Sequence, residues 1–267
     1  MPARPAVLIT GAARRLGRDI ALHLAARGFD VAVHYRASRE EALATVEEAR
    51  SLGVEAEAFK ADLSVESECR ALLPRVVAHF GRVDSVVNNA SHFEHDTAST
   101  FNTVTMEAHW RANTAPAILL AQALHDHLLC RRQGDKGSRT AGCVINLLDQ
   151  KLWNPNPDYF SYTLSKAALQ AATVMLAQAL APWVRVCGVA PGVTLVSGTM
   201  SSSEFDVAHR MTPLLQSSMP EDIARTVRFL IESPAITGTT VLVDGGQHLI
   251  AQPRDVMFMV RSDTTSF

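Results

Sequence analysis

Residues 6–28, AVLITGAARRLGRDIALHLAARG, decide how the chain folds. They open on a short apolar run, Ala6 to Ile9, with the character of a buried strand. They then turn through Thr10 and Gly11 into a segment whose Ile20, Ala21 and Leu24 recur at helical spacing. Gly11 and Gly17 permit a tight turn in which backbone N–H groups approach a phosphate at a helix start. Arg15 stands where the usual spacing has its middle glycine, and a cation there reaches phosphate and the space above it. A glycine-rich turn alone is a weak signal; its position at the first strand-to-helix junction gives it meaning.

The same alternation continues outward. Apolar runs at 31–35 (VAVHY), 54–61 (VEAEAFKA), 85–90 (SVVNNA), 143–148 (CVINLL), 184–190 (VRVCGVA) and 239–246 (TTVLVDGG) are separated by amphipathic stretches. Near-continuous apolar strands between helices are what a parallel sheet covered on both faces requires. The pattern predicts an α/β chain, a Rossmann-type doubly wound parallel sheet of about seven strands with helices on both faces. Its ligand crevice lies at the strand C-termini. Residues 1–267 read as a single domain; the polar stretch 131–142 reads as an exposed connection, and 194–218 as a substrate lid.

Composition narrows the partners. Lys and Arg number 25 against 27 Asp and Glu, a net charge of −2, which points away from nucleic acid and membrane surfaces and toward a small-molecule substrate. Cys69, Cys130, Cys143 and Cys187 lack close spacing and read as reduced core residues. The apolar run near the N-terminus is too short for a signal peptide, so the expected location is cytoplasmic.

The end of the second predicted strand, His34-Tyr35-Arg36-Ala37-Ser38-Arg39, chooses the dinucleotide. A carboxylate here would bind free ribose hydroxyls and repel a ribose phosphate, but no Asp or Glu occurs between Val31 and Arg39. Arg36, Ser38 and His34 instead offer donors suited to that phosphate, so NADPH/NADP is the expected cofactor. Asp62 reads as an adenine-side acceptor and Leu63 as its packing neighbour.

Tyr162 and Lys166 lie four apart in a helical run and share one face. A nearby ammonium favours phenolate, which is expected to lower the tyrosine pKa toward neutrality. Asp149 precedes Tyr162 by thirteen residues. It adds a second proton-carrying group, or an anion that pairs with an amino-substituted ring. Asn113 is placed in a helix, to hold a water leading from Lys166 to solvent or to bridge backbone groups.

With Thr10-Gly11-x3-Arg15-x-Gly17, Asp62-Leu63, Asn88-Asn89-Ala90, Asn113, Asp149, Tyr162-x3-Lys166, Pro191-Gly192 and Val243-Asp244-Gly245-Gly246 in order, the chain resembles the short-chain dehydrogenase/reductase family from about Ala6 to Leu249. The turn around Arg15, the HYRAS strand end, Asn89-Ala90-Ser91-His92-Phe93 and Asp149 resemble its pteridine reductase branch. That resemblance implies a cofactor site built from Gly11, Arg14, Arg15, Leu16, Gly17, His34, Tyr35, Arg36, Ser38, Asp62, Leu63, Asn89, Ala90, Ser91, Tyr162, Lys166, Pro191 and Gly192. It implies a substrate site of Arg15, Ser91, Phe93, Asp149, Tyr159 and Tyr162, with Phe93 stacked on the ring and Tyr159 on the opposite wall. Asp149, Tyr162, Lys166 and Asn113 would carry the proton chemistry.

The expected activity is NADPH-dependent reduction of a pteridine or dihydrofolate-like C=N bond. The alternatives are a carbonyl reductase acting on acyl, sugar or steroid-like ketones, and a cofactor-binding sensor without turnover. Lys151 and Trp153, in a loop that departs from the branch, add charge and bulk beside the substrate. No metal is expected: His125 and His127 do not face each other on a helix, and read as solvated or interface residues. Alanines at 112, 115, 117 and 121, and at 167, 168, 171 and 172, suit either core packing or the helix pairing of a homodimer or homotetramer, which the family implies.

Overall fold

The computed structural model describes residues 4–134, 142–196 and 200–263. The strands are β1 (Ala6–Ile9), β2 (Asp30–Tyr35), β3 (Ala56–Lys60), β4 (Ser85–Asn88), β5 (Gly142–Leu147), β6 (Val184–Pro191) and β7 (Thr240–Val243). They form one seven-stranded sheet in the order β3-β2-β1-β4-β5-β6-β7, and every neighbouring pair is parallel. The helices are α1 (Arg15–Ala25), α2 (Arg39–Ser51), α3 (Glu66–Phe80), α4 (Thr103–His109), α5 (Ala115–Gly134), α6 (Phe160–Ala179), α7 (Ser202–Arg210), α8 (Pro220–Glu232) and α9 (Val256–Asp263).

Side chains alternate across the sheet with the period of two that a strand dictates. Val7 and Ile9 enter one core with Ile20 and Leu24 of α1, Val46 of α2 and Val227 and Leu230 of α8. Leu8, between them, enters the opposite core with Leu72 and Val76 of α3 and Leu120 and Leu124 of α5. Both neighbours of each strand are therefore apolar, which is why the strands read as continuous hydrophobic runs. Truncating a fully buried Leu8 or Leu120 to Ala would cost about 2–5 kcal/mol.

The chain order reverses between β1 and β4, so the loops after these strands diverge and leave a crevice at their C-terminal ends. The segment 194–218, expected as a substrate lid, carries more regular structure than its serine-rich sequence suggests. It holds a regular helix, α7, whose Ser201 and Glu204 form a reciprocal capping box. Phe205 and Ala208 of α7 pack with Val256, Met257 and Val260 of α9, so the carboxy-terminal segment supports this wall. Residues 197–199, and most of the connection expected at 131–142, lie outside the described residues.

Two further expectations are corrected. Cys130 is exposed, whereas Cys69, Cys143 and Cys187 are buried as free thiols. His127 is not a solvated side chain: its Nε2 accepts the Val83 N–H at 3.2 Å. Among the described residues, no helix is long and apolar enough to cross a membrane.

Candidate active site

Two adjoining cavities occupy the crevice. The first, of about 400 Å³, is lined by the β1–α1 turn from Gly11 to Gly17, the end of β2, Asp62 and Leu63, and Asn89 to His92. All the residues expected at the cofactor's adenine and phosphate side border it: Gly11, Arg14, Arg15, Leu16, Gly17, His34, Tyr35, Arg36, Ser38, Asp62, Leu63, Asn89, Ala90 and Ser91. The second, of about 440 Å³, holds Asp149, Tyr162, Lys166, Pro191 and Gly192, with Phe93 on its wall. Arg15, Leu16, Asn89 and Ser91 line both and form the boundary.

The turn of the first cavity is built for close backbone approach. A Cβ on Gly17 would stand 2.3 Å from the Gly11 carbonyl oxygen and 2.5 Å from Asn89 Nδ2, so no side chain fits. Asn89 Nδ2 donates to the carbonyls of Thr10 and Gly11, and the Asn89 and Ala90 N–H groups donate to Thr10 Oγ1, which pins the turn to the end of β4. Helix α1 begins without a side-chain cap and without an acidic residue in its first turn. Its leading N–H groups therefore remain suited to an anion. Ser38 begins α2 without capping it, beside Arg36, and both face the cavity. A dinucleotide carrying a ribose phosphate fits this donor set; Arg14, Arg36 and Ser38 would hold its phosphates.

His34 is a correction. Its Nδ1 accepts the Gly11 N–H at 3.0 Å, so its Nε2 carries the proton toward the Ala61 carbonyl at 3.1 Å. Both nitrogens are engaged, and burial lowers the imidazole to about 4. His34 is a neutral strut beneath the turn and brings no cation to a phosphate.

In the second cavity Tyr162 Oη donates to Asp149 Oδ2 at 2.9 Å, and the Lys151 backbone N–H donates to Asp149 Oδ1 at 2.9 Å. Lys166 Nζ donates to the Leu147 carbonyl at 2.7 Å and lies 5.7 Å from the centre of the Tyr162 ring. Burial brings Lys166 down to about 8. Burial also raises Tyr162 well above its ordinary value, and the adjacent Asp149 charge raises it further. The expected shift toward phenolate is thus reversed, first by burial and then by the carboxyl group of Asp149 bonded to the phenol. Asp149 moves up as well, chiefly through desolvation, opposed by the Lys151 N–H and the Tyr162 hydroxyl.

Of the two roles read for Asn113 the structure shows the bridging one, while the aromatic wall departs from expectation. Asn113 sits in a π-helical turn, Trp110–Thr114, between α4 and α5. Its Oδ1 accepts the His92 N–H, and its Nδ2 donates to the His92 carbonyl and Ser165 Oγ, at 2.6, 3.0 and 2.9 Å. The side chain is therefore spent bridging the loop after β4 to α6, where Ser165 lies. Phe93 and Tyr159 do not oppose each other across a slot: their rings stack at 4.2 Å with 16° between planes. Phe93 and Tyr162 meet at 87° with ring centres 4.7 Å apart, and Tyr159 stacks on Phe93 with its hydroxyl bonded to Met257 Sδ. Tyr159 and Arg15 both adopt left-handed backbone, at φ 54° and 55°. Such strain in non-glycine residues persists only where the surroundings impose it.

Residues 5–206 match the short chain dehydrogenase family. The chain belongs to the short-chain dehydrogenase/reductase family. It is 33% identical over 247 residues to the 3-oxoacyl-(acyl-carrier-protein) reductase FabG of Staphylococcus epidermidis, covering 91% of this chain and 98% of that one. It is 36% identical to FolM alternative dihydrofolate reductase 1 from Brucella canis, solved in complex with NADP, with TM-score 0.85 and 94% and 97% of the two chains covered. The Brucella suis FolM structure, also with NADP, gives TM-score 0.86, 36% identity and 94% and 98% coverage. This short-chain dehydrogenase/reductase is an oxidoreductase, and its cofactor is NADP(H).

Part of the substrate cavity escaped the sequence reading. Gln247, Gln252, Asp255, Val256 and Met257 line it, and all but Gln247 lie beyond Leu249, where the motif order ends. A signal was available: Asp255 directly precedes the apolar run VMFMV, as a helix start does, and its Oδ1 accepts the Met257 N–H. Lys151 was expected beside the substrate; it lines the cavity as a buried side chain, while Trp153 packs behind with Leu148 and Leu169.

Proposed function

We propose that this oxidoreductase uses NADPH to reduce a pteridine or dihydrofolate-like C=N bond. The observation that carries the reading is the Asp149–Tyr162 hydrogen bond in a cavity flanked by Phe93. A simple ketone needs one proton donor beside the hydride source, and a hydroxyl suffices there. A ring imine gains a basic nitrogen as it accepts hydride, and an amino-pyrimidine presents donors that a carboxylate accepts. The FolM neighbours support the same substrate class.

The dinucleotide, when bound, supplies the hydride. The chain supplies the proton and the position. With Asp149 protonated, its O–H turns toward Tyr162 Oη, which frees the phenolic proton for the ring nitrogen; Asp149 then refills Tyr162 and becomes the carboxylate. The upward shift of Asp149 favours this doubly protonated starting state. Lys166, a cation below about 8, lies near enough to stabilise negative charge that builds on Tyr162 as the proton departs. Phe93, 41% exposed on the cavity wall, offers an aromatic ring for stacking.

The FabG likeness favours a second reading, reduction of a 3-oxoacyl thioester. The test is NADPH oxidation with dihydrobiopterin, dihydrofolate and dihydromonapterin beside acetoacetyl-CoA and a panel of ketones. Pterin or folate turnover is the expected result, and turnover confined to the thioester or ketones overturns the proposal. The exposed Leu164, Ala167, Ala171, Val174 and Met175 of α6 support self-association into a dimer or tetramer, which sedimentation would measure. A cytoplasmic location is proposed with it.

A further inference from the structure

Lys151 has two ends, and each meets the proton-donating pair in a different way. Its backbone N–H fixes Asp149 Oδ1, in the first residues of a 3₁₀ turn, Gln150–Trp153. Its side chain does not run to solvent, as most lysines do; it is 5% exposed. The ammonium donates to the Asp158 carbonyl and lies 3.5 Å from Asp255 Oδ2. Asp158 is itself clamped by both Arg254 Nε and Nη2, and by the Asp255 N–H. Lys151 is therefore one of the ties, with Asn154–Ile250 and Asp158–Arg254, between the carboxy-terminal segment and the loop that carries Asp149. A buried ammonium is costly unless paired, so its placement here calls for a charge that it serves.

We propose that Lys151 is a positioning residue for the Asp149–Tyr162 pair: its backbone N–H orients the carboxyl group, and its ammonium, moored to Asp255, supplies the counter-charge. The proposal rests on that pair being the proton-donating unit. The groups that act on Asp149 come from three elements. Tyr162 and Lys166 approach from α6, Lys151 from the 3₁₀ turn and Asp255 from the segment before α9, while Arg15 borders the same cavity at its mouth. Desolvation pushes the Asp149 carboxyl up, Asp255 adds to that push, and Lys151 opposes both. A carboxyl that overshoots becomes too weak an acid to hand on its proton, so a fixed cation brings it back toward the working range.

The two residues of the ion pair must then act with opposite signs. In ¹³C spectra of Asp-labelled protein without cofactor or substrate, the Asp149 Cγ resonance is identified by its loss in Asp149→Asn. Lys151→Met should move its titration midpoint up by about one unit or more, as expected for removing a nearby opposite charge. Asp255→Asn should move it down, and Lys151→Arg should keep it near the wild-type value. The pH profile of turnover on whichever substrate is active should shift in the same directions. Midpoints that stay put in both Lys151→Met and Asp255→Asn, or move the same way, overturn the proposal. If Lys151→Met does not fold, Asp255→Asn and Lys151→Arg decide it: no downward shift in the first, or a large shift in the second, overturns it. Because the titration needs no substrate, a failure of the pterin reading alone would leave its outcome readable.

Discussion

The two cavities share a boundary but follow different rules. The cofactor cavity is held by backbone: glycines that admit no Cβ, helix starts left uncapped, and a neutral histidine strut under the turn. The substrate cavity is held by side chains in contact with one another, with Asp149, Tyr162, Lys151 and Asp255 coupled through charge. Backbone-built sites depend on a few residue types at fixed spacing. Sites built from coupled side chains depend on what the fold brings together from distant segments.

The sharpest test of the first half is a stability measurement. His34 stays neutral in the folded protein down to about 4, whereas an imidazole in the unfolded chain takes its proton near 6.5. A depressed folded pKa means that stability is present above 6.5 and is lost as pH falls toward 4. That loss should amount to about 3 kcal/mol between pH 7 and pH 4. His34→Asn retains an acceptor for the Gly11 N–H but cannot titrate, so its urea-unfolding stability should lose about that much less over the same interval. Equal acid sensitivity in the two proteins would remove His34 from its role as strut.

The second half is tested through Tyr162. Tyr162→Phe should leave NADPH binding nearly intact while lowering turnover by a factor on the order of 10² or more, because only the proton path is cut. Single-turnover rates and fluorescence titration separate the two effects. Turnover within a factor of about three of wild type would mean that another group donates.

Cofactor choice comes next in size. Arg36→Ala combined with Ser38→Ala should reduce the preference for NADPH over NADH by about tenfold or more, since a charge-assisted phosphate contact is worth about 1.5–3 kcal/mol. An unchanged ratio of dissociation constants would place the discriminating contact elsewhere, with Arg14 the next candidate on the cavity wall.

What was legible in the sequence follows the same division. The Gly11 and Gly17 spacing, the strand runs and the carboxylate-free end of β2 are local patterns; they sufficed to locate the sheet, and the residues they single out line one cavity. The substrate side resisted for a physical reason. The stacking of Phe93 on Tyr159, the bonding of Asn113 to His92 and Ser165, and the Lys151–Asp255 pair join residues between 21 and 104 positions apart, and no periodicity records such meetings. The expectation that Lys166 lowers the Tyr162 pKa rests on a pattern four residues long, which records neither burial nor the bond to Asp149. Burial raises the phenol, and the residue actually bonded to it is the anion.

Asp149 gives the smallest expected effect in rate and the most discriminating one in kind. If the protonated carboxyl refills Tyr162, pterin turnover should be highest on the acid side and fall as pH rises through the Asp149 midpoint, which burial has moved upward. A separate decline should appear near 8, where Lys166 loses its charge. Asp149→Ser removes the first transition, because Ser has no proton to lose in this range, and keeps the second but moves it to lower pH, because the Asp149 charge that holds Lys166 up is gone. The serine still serves a carbonyl, so the ratio of pterin to ketone turnover should fall several-fold at pH 5 to 6 and less at pH 8. Steady-state rates on both substrate classes across pH 5 to 9 make the comparison. If the ratio and the acid-side transition are the same in both proteins, Asp149 only orients Tyr162, and reduction of a 3-oxoacyl or other carbonyl substrate replaces the pterin reading.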